Sequence, residues 1–217
     1  MMERILTSTG ATEYECYITG TDQFRYTVDP EYKANRKGKP QPRYRQDANA
    51  YLVTTYGARV TTVIEADDAL GIAQSQSVDG TTIIASIDKD LKQVPGHHYN
   101  WRRNEHDLVS PVDGLRSFYR QLLTGDTADG IRGVGGIGPV KSAKIINDLV
   151  DEIDMFQAVQ TLYNDDERLL RQGRLLYIWR KEDDDWAIHF TQLAEQAARL
   201  SSQTSSQELN DPTSDTI

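Results

Sequence analysis

The sequence predicts an α/β protein in two parts. A parallel sheet flanked by helices occupies the first half, and a helical region carrying a helix–hairpin–helix occupies the second. Three observations carry this. Short apolar runs in the first half end directly at acids and pass into helical stretches, the alternation of a parallel sheet with its site at the strand carboxyl ends. Near residue 115 the apolar period becomes helical, with Leu115, Phe118, Tyr119, Leu122 and Leu123 on one face. A glycine-dense hairpin, Gly133-Val134-Gly135-Gly136-Ile137-Gly138-Pro139-Val140-Lys141, then joins two helical stretches.

Taken in order, residues 13–19 read as a strand, because β-formers are dense and a Gly-Thr-Asp turn follows. Residues 30–46 are rich in Pro, Lys and Arg and predict a mobile basic loop or arch. A helix is expected over 47–56, a strand over 59–64, a helix over 66–73 and a buried strand over 81–87 that stops at Asp88. Helices follow over about 115–124 (ending at Gly125), 140–149, 155–163, 166–180 and 187–199. The segment 201–217 is polar and is expected to be disordered. The expected organisation is an α/β domain over 1–112, a helical region over 113–199 and a tail over 200–217.

The bulk properties exclude several classes. With 217 residues the chain can bury one sizeable core. It has no apolar run near the ~20 residues of a membrane helix, and its amino terminus lacks a signal-peptide apolar region. Cys16 is the lone cysteine, so no intrachain disulfide forms, and a reducing cytoplasm (a host's, if the gene is a phage's) is the expected setting. A net charge of −9 argues at first against nucleic acid. However, many acids are clustered, while residues 32–46 hold Lys33, Arg36, Lys37, Lys39, Arg43 and Arg45 with no acid among them. Local charge, rather than the total, attracts a phosphate backbone.

The acid clusters are Glu65-Ala66-Asp67-Asp68, Asp88-Lys89-Asp90 and Asp126-Thr127-Ala128-Asp129, each against an apolar run. Acids gathered at the ends of buried elements repel one another unless hard cations neutralise them, and such oxygen-rich sites suit Mg²⁺ or Mn²⁺. Two such ions would allow phosphodiester hydrolysis. The hairpin offers backbone N–H groups to a phosphate, and Lys141 and Lys144 stand about one turn apart after it. Its spacing excludes a Walker-type loop. His97, His98, His106 and His189 have no partner at ligand spacing and read as surface or packing residues. Tyr32 and Tyr44 either stack on unpaired bases or simply pack.

Together these residues resemble the phage and bacterial 5′–3′ exonuclease / flap endonuclease family, most of all the short exonucleases of tailed phages. The resemblance runs from about residue 13 to about 150. It rests on Asp22-Gln23-Phe24-Arg25, Pro30-Glu31-Tyr32-Lys33-Ala34-Asn35-Arg36, Glu65-Ala66-Asp67-Asp68, Ser86-Ile87-Asp88-Lys89-Asp90, and the stretch from Gly125-Asp126 through the hairpin. It implies a PIN-like sheet, a helix–three-turn–helix region and a metal-dependent 5′ nuclease acting on DNA ends, nicks or flaps. By position, Asp22, Glu65, Asp67 and Asp68 would line a first metal site, with Asp88 between the two. Asp90, Asp126 and Asp129 would serve a second. Lys33 and Arg36 would touch the scissile phosphate. Tyr32, Lys37, Lys39 and Arg43 on the arch would contact DNA. Gly133, Gly135, Gly136, Gly138, Lys141 and Lys144 would grip duplex backbone, with K⁺ at the hairpin carbonyls.

The sequence departs from the family at one point. Members begin with an apolar strand ending in Asp, whereas Met1 to Ala11 reads as the end of the helix after it. The expectation is an N-terminally incomplete sheet, completed by an upstream segment or a partner chain. The alternative to a nuclease is a DNA-junction binding subunit without catalysis, or one part of a split enzyme.

Overall fold

The computed structural model describes residues 1–208, with side chains through 203. Helix α1 (Met2–Thr9) leads to strand β1 (Tyr17–Gln23), which pairs in parallel with β2 (Arg59–Val63), Tyr17 opposite Arg59 and Thr19 opposite Thr61. The register slips between Thr19 and Gln23. A Cβ at Gly20 would lie 2.2 Å from the Thr61 carbonyl oxygen, so the two backbones approach there as only glycine allows. The strand expected at 13–19 thus sits later, because pairing with β2 sets its position.

Between these strands lie α2 (Arg25–Val28), a 3₁₀ turn (Ala34–Arg36) and α3 (Arg45–Tyr56). Helix α4 (Ala66–Gln76) follows β2 and begins with a reciprocal capping box, in which Glu65 and Asp68 each accept from the other's backbone N–H. Next come β3 (Ile83–Ala85), β4 (Gly96–Asn100) and β5 (Glu105–Val109). Strand β3 is parallel to β4, and β4 is antiparallel to β5. The expected single parallel sheet is therefore corrected: among the described residues the strands form a parallel pair and a separate mixed three-stranded sheet.

The second half is helical. Helix α5 (Pro111–Thr124) starts at Ser110, whose Oγ accepts from the Asp113 N–H at 3.1 Å, with Pro111 at its first position. It ends at Gly125, φ 71°. Two-residue strands β6 (Gly125–Asp126) and β7 (Ile131–Arg132) then pair antiparallel. Helices α6 (Pro139–Ile146), α7 (Glu152–Tyr163), α8 (Asp166–Leu176) and α9 (Trp186–Glu208) complete the chain. Helix α9 covers 201–208, which corrects the expected tail there; the remainder of that tail lies outside the described residues.

The main core is built on the apolar face of α5. Phe118, Tyr119, Leu122 and Leu123 are buried against Ile146, Met155, Phe156, Val159, Leu169 and Trp186. A smaller core of Ile84, Leu91, Val94 and Ile178 lies under the three-stranded sheet. Among the described residues no helix is long and apolar enough to cross a membrane.

Candidate active site

The structure gathers the three acid clusters, which lie far apart in sequence. Glu65 and Asp129 are bridged by the Tyr32 hydroxyl, which donates to Glu65 Oε2 at 3.2 Å and Asp129 Oδ2 at 3.1 Å. Asp88 is close enough to Asp67, and Asp126 to Asp90, for their charges to act on one another. Asp22 is exposed in β1 and makes no side-chain hydrogen bond or ion pair among the described residues.

Each acid has a distinct environment. Asp68 is fully buried and saturated: Oδ1 accepts from Arg25 Nη2 at 2.9 Å and the Trp179 N–H at 3.1 Å, Oδ2 from Arg25 Nη1 at 2.5 Å and the Glu65 N–H at 3.0 Å. A carboxylate offers about four acceptor positions, so none remains for a metal and its expected role as a ligand is corrected to a structural one. Glu65 accepts from Lys33 Nζ, with Arg25 Nη1 at 3.8 Å. Asp129 pairs with Arg36, and Lys33 Nζ lies 3.6 Å away. Asp126 and Asp88 accept backbone N–H groups within their own turns, from Ala128 at 2.8 Å and Asp90 at 2.9 Å. Asp90 pairs with Lys89.

Asp67 has no hydrogen-bond or ion-pair partner among the described residues. Burial, then the charges of Asp88, Glu65 and Asp68, push its carboxyl up to about 7, against a smaller opposing pull from Arg25. Burial likewise raises Asp90, helped by Asp88 and Asp126 and opposed by Lys89.

The base of the arch is docked onto the third cluster. The Lys33 N–H donates to the Asp129 carbonyl at 3.0 Å, and Asn35 Nδ2 to the carbonyls of Thr127 and Ala128 at 2.9 and 3.1 Å. Lys33 has φ 57°, and this left-handed turn carries its ammonium to Glu65. Tyr32 is only 3% exposed, which corrects its expected part in stacking on DNA: its ring is walled in and its hydroxyl bridges two acids. Burial, together with Glu65, holds that hydroxyl well above the usual tyrosine range. Lys37, Lys39 and Arg43 are exposed, with Arg43 lying 5.3 Å over the Tyr44 ring.

Arg25 was not among the residues expected at the site. It is buried, forks onto Asp68, and donates to the carbonyls of Leu175 at 2.9 Å and Tyr177 at 2.8 Å. Burial acts to lower its pKa, but Asp68 and then Glu65 outweigh that and hold it fully charged. The signal lay in its place directly after Phe24 within the first resemblance block.

The hairpin divides into two parts. A Cβ at Gly133 would lie 2.3 Å from the Leu123 carbonyl oxygen, and the Gly133 carbonyl accepts from Arg168 at 2.6 Å. Its smallness serves packing on the end of α5, which corrects its expected role on DNA. Gly135, Gly136 and Gly138 are exposed with open space where a Cβ would stand, and Gly136 has φ 75°. Lys141 and Lys144 are exposed beside them. Lys141 Nζ donates to the Gly136 carbonyl, one of the hairpin carbonyls, at 3.0 Å.

Whether these residues fit a metal follows from the donor set. Among the described residues no three acids, cysteines or histidines converge into a ready-made cage. The free carboxylate oxygens are nevertheless the donors a hard divalent cation takes, and Mg²⁺ needs only one or two carboxylates beside its waters. The mutual repulsion around Asp67 is what such a cation offsets. The donor set fits.

No family model and no curated protein matches the chain. Solved structures do. A bacteriophage T5 protein co-crystallised with metal ions superposes with a TM-score of 0.66 at 18% identity, over 97% of this chain and 90% of that one. A bacteriophage T5 flap endonuclease in a pseudo-enzyme–product complex with DNA and metal ions gives 0.62 at 20%, over 90% and 88%. The T5 5′-exonuclease with bound zinc gives 0.63 at 22%, over 90% and 88%. The chain has the fold of these phage proteins.

Proposed function

We propose that this chain is a divalent-metal-dependent nuclease that hydrolyses phosphodiester bonds of DNA at 5′ ends, nicks or flaps. The observation that carries the reading is the meeting of three acid clusters with Lys33 and Arg36 from the base of a basic arch. The activities and ligands of the T5 fold neighbours support it. Asp67, Asp88, Asp90 and Asp126 would hold Mg²⁺ or Mn²⁺, with Glu65 and Asp129 joining when their cationic partners turn to substrate. The bound metal would supply a water acidic enough to attack at neutral pH and charge to stabilise the leaving oxygen.

The chain's own groups supply the rest. Lys33 and Arg36 exchange their carboxylate partners for the non-bridging oxygens of the scissile phosphate, where their charge counts most as negative charge develops. Arg25 and Asp68 touch no substrate and hold the start of α4, so that Glu65 and Asp67 face the site. The exposed hairpin amides with Lys141 and Lys144 grip duplex backbone without reading sequence. The α/β part, about 1–112, would carry most of the chemistry, completed by Asp126 and Asp129, and the rest of 113–199 the grip.

A second reading, DNA-junction binding without cleavage, draws on the pairing of Glu65 and Asp129 with cations. One experiment separates the two: a 5′-labelled flapped or nicked duplex incubated with the chain in Mg²⁺, in Mn²⁺ and in EDTA. Metal-dependent release of 5′ products is the expected result. Tight binding with no cleavage in either metal would favour the second reading and overturn the first.

A further inference from the structure

The hairpin flanks a cavity of about 460 Å³ whose lining includes Val134, Ile137, Ile145 and Leu162, with the exposed Lys141 and Lys144 completing its wall. Val134, Ile137 and Ile145 rest on the main core, while Leu162, in the last turn of α7, is 39% exposed. Neither lysine forms an ion pair among the described residues, and Lys141 donates only to the Gly136 carbonyl. A phosphate backbone draws on amides and ammonium groups and gains nothing from an aliphatic wall. Apolar side chains beside two cations suit an occupant that carries aliphatic side chains among carboxylates.

The chain holds such a segment. Glu208-Leu209-Asn210-Asp211-Pro212-Thr213-Ser214-Asp215-Thr216-Ile217 sets two aliphatic residues among three acids, and no Lys or Arg follows Arg199. Helix α9 leads to it. Trp186 lies against Gly173 near the end of α8, and the stripe of Trp186, Phe190, Leu193 and Ala197 belongs to the main core. Helix α9 thus packs on α7 and α8. The junction of those two helices adjoins the hairpin: Leu162 lines the cavity, and Arg168, in the first turn of α8, donates to the Gly133 carbonyl at 2.6 Å. Residues 209–217 can extend about 30 Å, against a radius of gyration of about 17 Å for a domain of this length. Reach therefore does not limit them.

We infer that this cavity is a docking site for the chain's own segment 208–217, with Ile217 against the aliphatic wall and Asp211 and Asp215 on Lys141 and Lys144. The consequence rests on the nuclease reading: the segment occupies the two lysines that would otherwise meet duplex phosphates. DNA must displace it, so the apparent affinity falls by the fraction of chains whose hairpin is open. The acidic segment thereby holds back the grip from weak, unselective duplex contacts and yields to a substrate that also engages the acid clusters.

Two measurements on the full chain test this. The first needs no DNA: zero-length carbodiimide cross-linking of a mixture of isotopically light and heavy chains, read by peptide mass spectrometry. Links from Lys141 or Lys144 to Asp211 or Asp215 are expected within single chains at low salt, severalfold fewer in Ile217→Ser, and lost at ~1 M salt. Their absence at low salt, or their occurrence only between light and heavy chains, would overturn the docking. The second is binding of a labelled duplex in Ca²⁺. Asp211→Asn with Asp215→Asn and Ile217→Ser should tighten it about tenfold, whereas Glu13→Gln with Asp79→Asn, an equal change of charge at exposed acids elsewhere, should change it less than twofold. Equal effects of the two variants would overturn the competition. A wild-type chain that shows the cross-links but neither binds nor cleaves DNA would instead overturn the nuclease reading and leave the docking in place.

Discussion

Asp67 is half-buried beside Asp88, Glu65 and Asp68, and its titration carries a consequence for stability. Its folded pKa, about 7, lies above the ordinary 3.8, so between those values the native state keeps a proton that the unfolded chain has lost. Stability from this group is therefore present below about pH 4 and is lost as pH rises toward 7. In EDTA, the wild-type melting temperature should fall across that window, while Asp67→Asn flattens the fall and melts several degrees higher at pH 8. Parallel curves for the two proteins would refute the assignment. Lys33 makes a separate prediction: Lys33→Ala should lower turnover on flapped DNA about 100-fold, with Lys33→Arg recovering part of it. Arg25→Ala strands the Asp68 carboxylate in the interior and should cost roughly 3–5 kcal/mol, read as a lower urea midpoint. An unchanged midpoint would mean that water reaches Asp68.

At the scale of elements, the two halves of the hairpin separate packing from binding. Gly133→Ala drives a Cβ into the Leu123 carbonyl and should destabilise by about 1–3 kcal/mol, whereas Gly135→Ala meets open space and should leave the melting temperature unchanged. Equal effects would show that the hairpin is not seated on α5 in this way. The elements that were legible in the sequence are those with local causes. The start of α4 is written in Glu65 and Asp68, and the end of α5 in Gly125, because caps are made by neighbours in sequence. Strand β1 was misplaced because its bounds are set by β2, about forty residues away, and no local pattern of Tyr14 or Glu15 encodes that register. The extension of α9 past residue 200 follows from helix continuing out of a packed segment anchored by Trp186, Leu193 and Ala197, against a composition that suggested otherwise. The split of the strands into separate sheets depends on tertiary pairing that alternation of apolar and acidic runs does not specify.

At the scale of the whole molecule, the acids of the site were readable as clusters, but their partners were not. Buried Arg25 and Tyr32 look in sequence like any basic or aromatic residue of the arch region, and only the fold turns them inward. Their placement reaches beyond the site. Arg25 joins Asp68 of the first half to the carbonyls of Leu175 and Tyr177, and Asp68 also takes the N–H of Trp179. The end of α8 and the segment after it are thus hydrogen-bonded through one buried guanidinium to the start of α4, which presents Glu65 and Asp67. A chain cut near residue 112 would strip that cation of the carbonyls of Leu175 and Tyr177 and its carboxylate of the Trp179 N–H. The first half, which would also lose Asp126 and Asp129, therefore cannot be detached as a portable cutting module and fused to another DNA-binding protein: grasp and blade are forged as one piece.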